Sequence, residues 1–164
     1  MAQIDIMIAS AGWASALPDA KGIAWRAARA ALPTARGPDC LSIVLSGDRA
    51  VRALNRRFRG KDKPTNVLSF QTGEDPWGHA APGARALGDV ILALETVLGE
   101  ARRQGKRPRD HLSHLVVHGV LHLLGMDHET AREARMMERA EQRILARLGI
   151  ADPYRLSAVM PAGI

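Results

Sequence analysis

His118-Gly119-Val120-Leu121-His122-Leu123-Leu124-Gly125-Met126-Asp127-His128 carries three imidazoles at a spacing with a geometric use. His118 and His122 are four apart, so on a helix they stack on one face and can chelate one ion. Gly125 is placed to end that helix, because glycine accepts the left-handed conformation of a C-cap. The chain can then turn back and bring His128 in as a third ligand. Three nitrogen ligands leave a tetrahedral metal one open position, as catalytic zinc sites do. Zinc is favoured over magnesium, since imidazole is a borderline ligand and no carboxylate cage accompanies it. Iron, nickel and copper remain compatible.

The same helix carries His111 and His114 on the histidine face, while Leu112, Leu115, Val116, Leu123 and Leu124 form the expected core face. His111 and His114 are read as lining the cleft or standing behind the ligands. The spacing His-x-x-x-His-x-x-Gly-x-x-His is also that of metzincin proteases, which need a glutamate directly after the first histidine. Here that position is Gly119, which cannot move a proton, so peptide hydrolysis by that route is disfavoured.

Outward from this stretch, alternating and apolar runs predict strands over 3–9, 41–45, 66–70 and 87–94. Amphipathic spacing predicts helices over 22–32, from a Ser46 cap to Gly60, over 95–104, over 108–124, and from a Thr130–Glu133 capping box to about 148. In the last helix Ala134, Met137, Glu141, Ile144, Leu145 and Leu148 make one mostly apolar stripe. Residues 13–21, 33–39 and 72–86 read as connections, the last Gly/Pro-rich, with Trp77 and His79 structural or solvent-facing. Strands and helices are intermixed without strict alternation. That predicts an α+β fold with a small mixed four-stranded sheet and about five helices. One domain over 1–164 is expected, with an irregular tail after about 150.

The chain has 164 residues and a net charge of +6, which favours a polyanionic partner. Between Arg49 and Lys63 seven basic residues face the single acid Asp62, a surplus equal to that of the whole chain. This cluster includes Arg56, Arg57, Arg59, Lys61 and Lys63. A second, Arg102, Arg103, Lys106, Arg107 and Arg109, precedes the histidine helix. Charge runs are usually solvated helix faces. Two of them beside a metal helix point instead to a phosphodiester substrate, for which arginine gives bidentate contacts. With six aromatic residues in all, no base-stacking platform is evident. The lone Cys40 suggests a reducing compartment. No basic residue precedes the Ala-Ser-Ala at 14–16 and Asp5 interrupts the apolar run, so a signal peptide is not expected. No run is long enough to span a membrane, and a cytoplasmic location is expected.

Three ordered stretches carry a resemblance. They are His114 through His128; Leu54-Asn55 with Phe58-Arg59-Gly60-Lys61-Asp62-Lys63-Pro64-Thr65-Asn66-Val67-Leu68-Ser69-Phe70; and Leu87-Gly88-Asp89-Val90-Ile91. Together they resemble the signature of the YbeY family of bacterial endoribonucleases, also described as rRNA maturation factors. The resemblance implies that His118, His122 and His128 bind one zinc ion. It implies that Arg59 is the catalytically important arginine, and that Asp89 is the acidic residue of a Gly-Asp motif near the cleft. It further implies cleavage of single-stranded RNA, roles in 16S rRNA 3′-end maturation and ribosome quality control, and small-subunit and assembly-factor partners. Met126 stands where tyrosine is usual in that family, and Gln71 where proline commonly follows the phenylalanine.

On this reading Arg59 holds the scissile phosphate, Arg56, Arg57, Lys61 and Lys63 track its neighbours, and Asp127 or Asp89 moves the proton. Two other readings stay open: a metal-dependent hydrolase of another substrate, and a non-catalytic assembly factor with structural zinc. The second would fill the fourth coordination position with a protein ligand such as His114.

Overall fold

The computed structural model describes residues 2–33, 39–72 and 85–155. The expectations for Trp77, His79 and the end of the tail lie outside them. The order is β1 (Gln3–Ile8), α1 (Gly12–Ala16), α2 (Ala20–Ala31), β2 (Asp39–Ser46), α3 (Asp48–Arg59), β3 (Val67–Gln71), β4 (Arg85–Ala93), α4 (Leu94–Gln104), α5 (Pro108–Leu123) and α6 (Ala131–Arg147). The strands form one sheet in the order β1-β2-β4-β3, parallel except that β3 runs antiparallel to β4. This is the expected mixed sheet in an α+β fold, with a sixth, short helix added.

Alternation along the central strands sorts their side chains onto two faces. Ile43, Leu45, Val90 and Leu92 join the larger core with α2, α5 and α6, while Val44, Ile91 and Phe70 join a smaller core under α3. Covering on both faces explains why β4 reads as the near-continuous apolar run Val90-Ile91-Leu92-Ala93. Gly88 sits at the irregularity where β2 and β4 change register, at φ 132°. A Cβ there would stand 2.0 Å from the Phe70 carbonyl oxygen, so only glycine fits.

Two local expectations differ from what forms. Ser46 does not cap α3: it ends β2, and the N-cap is Gly47 without a side-chain bond. The Asp48 N–H donates instead to Glu95 Oε1 at 2.7 Å, and Asp48 Oδ1 accepts from the Thr96 N–H at 3.0 Å. The first turns of α3 and α4 thus serve each other. Residues 13–21 are not a plain connection either. Trp13 is fully buried in α1, and its Nε1–H donates to the Ser46 carbonyl at 2.7 Å.

The histidine helix is also more enclosed than a one-sided core face. Every residue from His111 to Val117 is buried, with α2, α4, α6, β3 and β4 packed around it. Imidazoles tolerate this because two acids meet them: Glu100 on α4 and Glu141 on α6.

Candidate metal centre and cleft

α5 ends as its sequence dictates. Gly125 takes φ 98°, its N–H bonds to the His122 carbonyl at 3.0 Å, and the Met126 N–H reaches the Leu121 carbonyl at 3.0 Å. That pair of bonds is a Schellman turn, and Met126 packs back against the core. Met126 fills its place by packing alone, with no hydroxyl. The turn swings 126–128 back over the helix, where the Asp127 carboxylate accepts the His128 N–H at 2.8 Å.

His118, His122 and His128 converge there. One ring nitrogen of each lies within 4.8 Å of the others. His118 Nε2 and His122 Nε2 stand 3.1 Å apart. Two ligands of a tetrahedral zinc, each at about 2.0 Å, would stand about 3.3 Å apart. The donor set and its spacing therefore fit a borderline cation. Burial first, then the nearby His118 and His128, hold the His122 imidazole down at about 4, which keeps it neutral with one ring-nitrogen lone pair available.

Behind the triad lies the fully buried Glu141. Its Oε1 accepts from His114 Nε2 at 2.6 Å and from the Tyr154 hydroxyl at 2.5 Å, and its Oε2 accepts from His118 Nδ1 at 2.9 Å. Burial pushes this carboxyl up, but the bonds from His114, His118 and Tyr154 outweigh it and bring it to about 2. With Nε2 engaged by Glu141, His114 is not one of the three grouped ligands. His111 is not among them either, its Nε2 standing against Glu100 Oε1 at 2.8 Å.

A cavity of about 600 Å³ opens over the triad, lined by His118, His122, His128, Asp127, Arg59 and residues of β3. Arg59 reaches it from the end of α3, around the edge of the sheet. Its guanidinium donates to the Ser69 carbonyl at 3.0 Å and lies 4.8 Å from the centre of the Phe70 ring. Gln71 donates to the His122 carbonyl at 3.2 Å, tying β3 to the end of α5. A second cavity of about 510 Å³ adjoins the first across Arg59 and takes in Lys61 and Lys63.

The structure thus brings Arg59, Asp127, Lys61 and Lys63 to the triad or its border. Arg56 and Arg57 are exposed on α3 and line neither cavity. Asp89 is 2% exposed; by alternation it shares the α3 face of β4 with Ile91, and it does not line the cleft. The second basic cluster runs from the last turn of α4 to the first turn of α5, where Arg109 is about 20 Å from His122 along the helix axis at 1.5 Å per residue. Glu141 was legible only as an acid set in an apolar stripe, and Tyr154 carried no signal.

A family model described as Endoribonuclease YbeY matches residues 23–149. A protein of that name from Azorhizobium caulinodans is 54% identical over 161 residues, covering 95% of this chain and 98% of its own length. Another, from Paramagnetospirillum magneticum, is 53% identical and covers 93% of this chain and 95% of its own. A solution structure of a Thermotoga maritima protein is 20% identical, has a TM-score of 0.50, and covers 93% of this chain and 99% of its own, a likeness of fold alone.

Proposed function

Since the chain belongs to the Endoribonuclease YbeY family, we propose that its cleft cleaves single-stranded RNA with the help of one zinc ion held by His118, His122 and His128. The chain is an endoribonuclease, a hydrolase acting on RNA phosphodiesters. The observation that carries the reading is the cavity in which the triad, Asp127 and Arg59 face one another.

Zinc bound there supplies Lewis acidity at a phosphoryl or water oxygen. Everything else falls to the chain's own groups. Arg59, which lines the cavity and is anchored on the Ser69 carbonyl, meets the charge that grows on the scissile phosphate. Lys61 and Lys63 take the next phosphate in the adjoining cavity. Asp127, which lines the cavity beside His128 as Glu129 also does, accepts the proton on this reading. Asp89, buried on the α3 face of β4, does not line this cavity and is not assigned the proton. The same reading makes the substrate rRNA, 16S 3′-end maturation and ribosome quality control the setting, and the small subunit and its assembly factors the partners, all within the cytoplasm. It treats the chain as one domain. No helix among the described residues is long and apolar enough to cross a membrane.

The test is purified protein on single-stranded and structured RNA, beside His118→Ala and Arg59→Glu. Loss of cleavage in both variants is expected. Cleavage that survives both substitutions belongs to a contaminating nuclease and removes the claim.

A further inference from the structure

Glu141 stands in the stripe of α6 that otherwise buries Met137, Ile144 and Leu145. An apolar residue would pack there without the cost of burying a charge. Instead there is a carboxylate with all three donors around it satisfied: His114 Nε2 at 2.6 Å, the Tyr154 hydroxyl at 2.5 Å and His118 Nδ1 at 2.9 Å.

The arrangement divides the labour between the two oxygens. His114 and Tyr154 both hold Oε1, which fixes the rotation of the carboxylate and leaves Oε2 to His118 alone. A hydrogen bond from Nδ1–H settles the tautomer of His118, so its lone pair sits on Nε2, the nitrogen 3.1 Å from His122 Nε2. Tyr154 arrives from beyond α6, on a turn held where Asp152 accepts the Tyr154 N–H at 2.9 Å and the Gln142 amide at 3.2 Å. We propose that Glu141, braced by His114 and Tyr154, is the positioning residue of the metal centre: it aims the His118 imidazole and keeps the proton off its metal-facing nitrogen. This rests on the metal reading above and deepens it.

The discriminating variant is Glu141→Gln. Its amide oxygen would face the two donors, His114 and Tyr154. Its NH₂ would then face His118 Nδ1 and drive the imidazole proton to Nε2, where a ligand lone pair is needed. Two measurements follow on the full chain: zinc affinity by competition with a chromogenic chelator, and the His118 tautomer by nitrogen-15 NMR of the metal-free protein. The wild type should show Nδ1–H. Glu141→Gln should show Nε2–H and bind zinc about 10- to 100-fold more weakly. Wild-type affinity in a folded Glu141→Gln protein overturns this inference and leaves the metal reading standing. A wild type without zinc affinity overturns both. Should circular dichroism show Glu141→Gln unfolded, Tyr154→Phe decides: it removes one brace at a partly exposed site, and zinc affinity equal to wild type overturns the proposal.

Discussion

A methyl group on Gly119 would lie 2.6 Å from Val90 Cγ1 and 3.2 Å from Ser69 Oγ. The position that holds the general base in metzincins is here the point where α5 touches the sheet, so a glutamate there has no space as well as no role. Gly119→Ala should lower stability by about 1 to 2 kcal/mol net, overpacking outweighing the gain in helix propensity. Urea denaturation measures it, and Val90→Ala in the same chain should recover part of the loss. His111 makes a second residue-scale prediction. Its imidazole is pushed below its ordinary value by burial, against the opposing Glu100, with His114 and Lys106 adding to the depression. The unfolded chain therefore takes the proton first. The resulting stability is present above about pH 6.5 and lost as pH falls through the lowered folded value. The melting temperature of metal-free protein should fall on acidification over that range, and less so in His111→Gln. At this scale the grouping of the three histidines was legible because ligand spacing is a local pattern, whereas Arg59 was singled out from its basic neighbours by the family resemblance. Glu141 was not, because its partners on α5 and beyond α6 are joined to it only by folding.

The elements were read well where their ends carry local chemistry. Thr130 and Glu133 make the reciprocal capping box on α6, with the Glu133 N–H donating to Thr130 Oγ1 and the Thr130 N–H to Glu133 Oε1, both at 3.1 Å. Thr130→Ala should cost about 1 kcal/mol, read as a lower melting temperature with unchanged zinc affinity; because α6 carries Glu141, a loss of affinity larger than the loss of stability would tie the cap to the metal centre. The Ser46 cap failed for the converse reason. The bonds that open α3 come from Glu95, 47 residues away from Asp48, and no local pattern announces them. Trp13 likewise looked like part of a connection, because its partner is the carbonyl at the far end of β2.

For the whole molecule, net charge alone suggested a polyanion, and the fold decides which charges face it. Lys61 and Lys63 border the cleft beside Arg59, whereas Arg52 is paired with Asp62 at 2.8 Å and Arg107 with Asp110 at 3.0 Å. Single-stranded RNA binding should weaken steeply with salt, and Lys61→Ala with Lys63→Ala should flatten the plot of log affinity against log salt by about 1 to 2 units. Fluorescence anisotropy across a salt series measures this; substitutions at Arg102 and Arg103, at the exposed end of α4, should leave the slope nearly unchanged. The sequence could number these charges but not orient them, since α3, α4 and α5 acquire their relative placement only by packing.

β3 is one of the two edge strands of the described sheet, and two of its outward-facing backbone groups are spoken for: the Val67 N–H by the Asn66 side chain at 2.7 Å, the Ser69 carbonyl by Arg59. An uncovered edge is a template on which another chain can add a strand. The arginine assigned to the phosphate thus doubles as a guard against self-association. Arg59→Glu would remove the proposed phosphate contact and unmask an adhesive edge in one stroke, and light scattering on that variant should reveal oligomers that the wild type does not form.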